Sequence, residues 1–145
     1  MSNETSRSGR CNCGAVRFRV EGPLRPVVGC HCRTCRRQSG HHVAATAARR
    51  GDLVLEAAET LAWWSAGPTA RRGFCARCGS GLFFEPLAPD GAPTDRISIW
   101  AGALDQDPPA LVGHIFTGEK GGYYAVGDEA PCFAADWQGT RPEGW

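Results

Sequence analysis

Seven of the eight cysteines in this chain fall into three tight groups: Cys11 with Cys13, then Cys30, Cys32 and Cys35, then Cys75 with Cys78. Any fold this chain adopts must bring those sulfurs together, as disulfides or around metal. Disulfides need an oxidising compartment. The opening Met1–Arg10 stretch has no apolar run that could serve as a secretory signal, which favours metal. Zinc takes four sulfur or nitrogen ligands when its site is structural and keeps one position open when it is catalytic. Cys11 and Cys13 can join Cys75 and Cys78 to close a tetrahedron across some sixty residues. The local run Gly29-Cys30-His31-Cys32-Arg33-Thr34-Cys35 can present three sulfurs to a second metal, with its fourth position open. Cys132 belongs to no group and reads as a small hydrophobe.

At 145 residues the chain is long enough for one domain with a sizeable core, to which a structural metal adds stability. A net charge of +1 argues against nucleic acid, which needs a concentrated basic surface. No apolar run reaches the ~18 residues of a membrane span, and no dinucleotide fingerprint or phosphate loop points to a nucleotide cofactor. A cytoplasmic location is expected. Oligomeric state leaves no mark on the sequence.

Gly 19 and Pro 10 make up about a fifth of the chain, against the usual ~12%, so turns are frequent and long helices are not expected. In Ala15–Val20, Val16, Phe18 and Val20 alternate with Arg17 and Arg19, the period of a strand with one buried face, and Arg96–Trp100 repeats it. Further strands are expected at Val43–Ala47, Leu53–Leu55, Leu61–Trp64, Leu82–Glu85 and His114–Phe116, separated by Gly, Pro or charged breaks. The expected fold class is mainly β. Cys75-Ala-Arg-Cys78-Gly79 reads as a knuckle in which Gly79 supplies the backbone freedom to wrap a metal, and Cys11-Asn-Cys13-Gly14 as a similar turn.

Cys11-x-Cys13-Gly14, Cys30-His31-Cys32-x-x-Cys35-Arg36-Arg37-x-Ser39-Gly40 and Phe74-Cys75-x-x-Cys78-Gly79-Ser80, followed by Ala101–Asp105, His114-Ile115-Phe116 and Glu119-Lys120, resemble the glutathione-dependent formaldehyde-activating enzyme family, also called the CENP-V/GFA domain. The resemblance implies a β-tent fold over residues 10–137, with tails at 1–9 and 138–145. Small antiparallel sheets would be pinned by a zinc on Cys11, Cys13, Cys75 and Cys78. A second, catalytic zinc would sit on Cys30, Cys32 and Cys35, giving two per chain. The implied activity is that of a carbon–sulfur lyase or synthase, joining glutathione to formaldehyde as S-hydroxymethylglutathione. The alternatives are a different thiol and aldehyde on the same fold, or a non-enzymatic zinc module of the kind found in chromosome-associated relatives. Those relatives carry basic extensions, whereas Arg7 and Arg10 are here offset by Glu4.

Three cysteinates give zinc a net charge of −1, and a fourth thiolate would need cationic neighbours. Arg36 and Arg37 are candidates to offset that charge or grip a glutathione carboxylate; otherwise they are solvated surface arginines. His31, between two ligands, is expected to point away from the metal and orient its loop. His41 and His42, where the family would have small or aromatic residues, are candidate proton donors to the alkoxide. His114 fits that role or a core position. Trp63, Trp64, Trp100, Tyr123 and Tyr124 suit either pocket walls or core. Gly121-Gly122-Tyr123-Tyr124 departs from the family's Pro-Trp-type segment.

Overall fold

The structure, a computed structural model, describes residues 6–145. It holds ten strands, one short helix and three 3-10 turns. β1 (Ser6–Arg10), β2 (Arg17–Glu21) and β5 (Leu53–Ala57) form a three-stranded sheet in the order β1-β2-β5. The remaining strands are β3 (Val27–Cys30), β4 (Val43–Arg49), β6 (Leu61–Gly67), β7 (Ala70–Cys75), β8 (Gly81–Pro86), β9 (Arg96–Trp100) and β10 (Leu111–Ile115). They make a seven-stranded sheet in the order β10-β3-β4-β9-β8-β7-β6. The fold is mainly β, as expected. The pairing is antiparallel throughout except between β10 and β3, which run parallel and set His114 beside Gly29. The helix α1 (Arg33–Ser39) is seven residues long, begins at Cys32 and ends at Gly40 in the left-handed conformation.

The alternation in β2 and β9 sets the layers. Phe18 and Val20 from the small sheet, Phe83 from β8, and Ile97 and Ile99 from β9 are all fully buried in one core between the two sheets. Phe18 and Phe83 meet edge to face with centroids 5.1 Å apart. The opposite face of the large sheet is not flat to solvent. Arg96, Ser98 and Trp100, out of phase with the two isoleucines, line a cavity of about 870 Å³ together with Phe84 and Arg72. Two-residue periodicity thus divides one strand between core and cavity.

At the rim of the core Glu85 is fully buried and held by two arginines, with Arg50 Nε and Arg71 Nε each donating to its carboxylate at 2.7 Å. Arg71 and Glu85 are cross-strand partners, which explains how a strand forms at the charged stretch Ala70–Cys75.

Two departures concern the ends of the chain. Residues 1–5 of the expected N-terminal tail lie outside the described residues, and Ser6–Arg10 pairs with β2 across the full register from Ser6↔Glu21 to Arg10↔Arg17. A Cβ on Gly9 would lie 2.3 Å from Phe18, so this strand packs directly on the core. The segment 138–145 packs onto the body as well: Trp145 meets Trp137 at a tilt with centroids 4.9 Å apart, sits under the Arg25 guanidinium at 4.7 Å and lines the cavity.

Candidate functional site

Two turns meet at the first cysteine cluster. Cys11 and Cys13 follow β1; Cys75 ends β7 and Cys78 lies in the turn to β8. Gly14 and Gly79 take positive φ of 79° and 80°, and their amides close the turns onto the carbonyls of Cys11 and Cys75 at 3.1 and 2.8 Å. All four sulfurs lie within 4.8 Å of one another. Cys11 Sγ is 3.6 Å from Cys13 Sγ, which is 3.8 Å from Cys75 Sγ. A tetrahedron with metal–sulfur bonds of ~2.3 Å has edges of ~3.8 Å, so this donor set fits one metal ion. Cys11 and Cys75 are buried, Cys13 and Cys78 exposed. Hydrogen bonds from the Ser80 hydroxyl and amide pull the Cys78 thiol down to about 5, and the Thr60 hydroxyl, 3.3 Å from Cys75 Sγ, lowers that thiol too. Both groups favour the thiolate that a metal requires.

The second cluster is built across a strand-to-helix junction rather than within a loop. Cys30 ends β3, Cys32 is the N-cap of α1, and Cys35 sits in its first turn. Their sulfurs also lie within 4.8 Å of one another and form part of the wall of the 870 Å³ cavity. Contact with the Cys30 and Cys35 sulfurs holds the Cys32 thiol far below the usual thiol range, and its contact with Cys32 pushes Cys30 up. This set could hold a metal ion from one side and leave its other side facing the cavity.

The cations around this cluster are not the ones expected. Arg36 donates from Nη1 to the Glu119 carbonyl at 2.7 Å, Arg37 is exposed, and the cavity is lined by neither. The helix turns both away from the sulfurs because Cys35 occupies its inward face. Arg72 reaches the cluster instead: its Nη1 lies 3.4 Å from Cys35 Sγ and 3.1 Å from Gln38 Oε1, with the guanidinium over Phe84. Arg25, Arg96 and Arg141 line the same cavity. Among the described residues none of these four is ion-paired to a carboxylate. Burial, with Arg96 and Arg141 close by, pushes Arg25 down to about 10. Asp136 is the one carboxylate side chain in the same lining, so the four arginines leave the cavity with a surplus of positive charge that favours an anionic guest. Arg96 stands on the strand expected at Arg96–Trp100, though nothing local tells which face it takes, whereas Arg72, between Arg71 and Gly73, carries no such signal.

All four histidines lie behind the second cluster, away from the cavity. His31 is fully buried; its Nδ1 meets the Tyr124 hydroxyl and its Nε2 lies 2.9 Å from His114 Nδ1. His114 Nε2 in turn lies 2.9 Å from an Asp128 carboxylate oxygen. Burial, reinforced by His42, His114 and His41, pushes His31 down to about 4. His42 stacks on His31 at 4.4 Å and has a buried Nδ1 without a hydrogen-bond partner among the described residues. His41 is exposed, with Nδ1 2.9 Å from the Tyr123 hydroxyl. Of the aromatic candidates, Trp100 lines the cavity, Trp63 packs against the core, and Trp64 and Tyr123 are exposed.

The chain is similar in sequence and fold to known proteins. The family described as glutathione-dependent formaldehyde-activating enzyme matches over residues 6–119. A protein of Halomonas elongata named "Putative glutathione-dependent formaldehyde-activating enzyme" is 33% identical over 140 residues, covering 87% of this chain and 85% of its own. A crystal structure of a Rhodobacter sphaeroides protein superimposes with a TM-score of 0.57 at 28% identity, covering 72% of this chain and 97% of that one.

Proposed function

The chain belongs to the glutathione-dependent formaldehyde-activating enzyme family, and from that premise we propose that it is a zinc-dependent carbon–sulfur lyase or synthase joining glutathione to formaldehyde. The observation that carries this reading is the convergence of Cys30, Cys32, Cys35 and Arg72 on a cavity that Arg25, Arg96 and Arg141 make cationic. Cys11, Cys13, Cys75 and Cys78 would hold a structural zinc, and Cys30, Cys32 and Cys35 the catalytic one. A zinc ion on three cysteines supplies an open position at which a substrate thiol, with an ordinary pKa near ~8.5, is held as thiolate.

The chain's own groups do the rest. Glutathione carries two carboxylates, and a guanidinium pairs with a carboxylate through two parallel hydrogen bonds. Arg25, Arg96 and Arg141 would grip those carboxylates and point the sulfur toward the cysteines. Arg72, already against Cys35, would offset the surplus negative charge and stabilise the oxygen that becomes anionic when sulfur attacks the carbonyl carbon. The carbon–sulfur bond forms as the carbonyl π pair moves to oxygen, which then takes up one proton; the reverse reaction breaks the same bond. Apolar Val28, Phe84 and Trp100 exclude water around the reacting atoms. The same reading places the protein in the cytoplasm, where thiols stay reduced, with a small-molecule thiol as its partner.

Calorimetric titration of glutathione into protein carrying two zinc ions per chain tests this, with Cys32→Ser as control. Binding that vanishes in the variant supports the assignment. Equal binding in both proteins, or none in either, removes glutathione as the substrate of this site.

A further inference from the structure

The chain of hydrogen bonds behind the cysteines has a direction. Asp128 is a carboxylate, held below the ordinary range by its bond to His114, and accepts only. With one proton on each imidazole, His114 donates from Nε2 to Asp128 and accepts at Nδ1 from His31 Nε2, and His31 Nδ1 accepts from the Tyr124 hydroxyl. Every ring nitrogen in the chain then has its partner.

His31 is thereby fixed at three points. Its ring is held at both nitrogens, and its backbone amide donates to the Ile115 carbonyl of β10 at 3.0 Å. It stands between Cys30 and Cys32, so a residue that cannot turn separates two sulfurs that must aim at one point. The parallel pairing of β10 with β3 sets His114 beside Gly29, and a Cβ on that glycine would lie 2.7 Å from His114 Nδ1. The His114 ring therefore uses the space a side chain would take, one residue before Cys30. A buried polar residue costs more than an apolar one of the same size unless every bond is made. An apolar residue would fill position 31, but it would not fix the rotation of the backbone there.

We propose that Tyr124, His31, His114 and Asp128 form one directed hydrogen-bond chain that holds the Cys30–Cys32 span in metal-capturing geometry, His31 being its positioning residue. The inference rests on the reading of Cys30, Cys32 and Cys35 as a metal site. Asp128 is its most informative end, because its side chain is half exposed and lies far in sequence from the ligands.

The test is a chelator competition on cobalt(II)-loaded full-length protein, which reads each site's affinity, together with the thiolate-to-cobalt absorption of the second site. Asp128→Ala is expected to lose about ten- to a hundredfold in cobalt affinity at the three-cysteine site, as outer partners of metal ligands do. It should shift the absorption of that site and leave the four-cysteine site unchanged. Asp128→Asn keeps an acceptor for His114 Nε2 and should restore both readouts. Asp128→Ala with wild-type affinity and spectrum overturns the proposal. So does loss of both metals together, which would make the chain a general stabiliser, and so does an Asp128→Asn that fails like the alanine. A wild-type protein that takes one cobalt per chain instead overturns the underlying assignment of the site. Nitrogen-15 spectra provide a second check: both His31 and His114 are expected as Nε2–H tautomers, and an Nδ1–H tautomer at either sets two acceptors or two donors face to face, which breaks the chain and overturns the proposal.

Discussion

Arg72 Nη1 lies 3.4 Å from the sulfur of Cys35, although the two residues come from β7 and α1 and are 37 positions apart. This single contact carries a positive charge to a cluster whose neighbouring arginines in sequence, Arg36 and Arg37, face elsewhere. Arg72→Gln is expected to weaken glutathione binding about ten- to a hundredfold, the range for a hydrogen bond to a charged group at ~1.5–3 kcal/mol. Arg72→Lys should recover part of that loss, since it restores charge without the planar fork. Calorimetry on the three proteins decides it, and unchanged affinity in the glutamine variant would falsify the assignment.

The outer arginines should govern selectivity rather than reactivity. Arg96→Ala is expected to raise the dissociation constant for glutathione at least tenfold. It should leave that for 2-mercaptoethanol, which has no carboxylate, nearly unchanged. Parallel titrations with both thiols measure the ratio, and equal losses for the two would assign Arg96 to the framework of the cavity.

The two clusters differ in what they hold together. Cys75→Ser breaks a clip between the β1–β2 turn and the β7–β8 turn, and Cys75 is fully buried beside the core. It should unfold the domain or lower its thermal midpoint steeply, because metal binding there is folding free energy. Cys32→Ser, at a local strand-to-helix junction, should keep most of the midpoint while abolishing turnover. Thermal unfolding followed by circular dichroism compares them, and equal falls would remove the distinction.

Acid should destabilise the protein in two stages. His42 lies below its ordinary value, chiefly through burial and then through His41 and His114. The unfolded chain therefore takes a proton near pH ~6.5 that the folded chain refuses, and stability falls as pH drops below that value. Asp128 lies below its ordinary value because it accepts from His114. Its contribution is complete above pH ~3.9 and is lost as pH falls through its lowered folded value. His31, which burial pushes down to about 4, adds to the same stage. Midpoints measured from pH 7 to 3, with metal content followed in the same samples, should therefore show a first stage that is smaller in His42→Gln without vanishing. A first stage identical in that variant assigns it to other groups.

In the core, Phe83→Ala removes a fully buried ring that packs on Phe18 and Trp63. The expected cost is about 3–5 kcal/mol, read by denaturant unfolding of metal-loaded protein.

How much of this was legible in the sequence follows from which interactions are local. β2 and β9 were readable because one face of each is buried in the core, which writes a two-residue alternation into the sequence. β3 was not, since Val27, Val28 and Gly29 are all buried and leave no alternation. β7 passed for a charged break because Arg71 finds Glu85 only across the sheet. β1 is polar and short, and its strand character comes from pairing with β2. The cysteine groups announced themselves by spacing. The arginines of the cavity did not, because Arg25, Arg72, Arg96 and Arg141 converge only after distant parts of the chain have packed.

β7 ends on Cys75 of one cluster and, three residues earlier, places Arg72 on the other. Between them the register with β8 shifts, Gly73 facing Phe83 and Phe74 facing Gly81. The strand therefore works as a ruler whose length is fixed at both ends. One residue inserted between Arg72 and Cys75 would either carry the guanidinium to the wrong face of the sheet or pull the sulfur out of its tetrahedron. The turn at Asp90–Gly91 is exposed and touches neither cluster, whereas any change of length in this interval moves one cluster relative to the other.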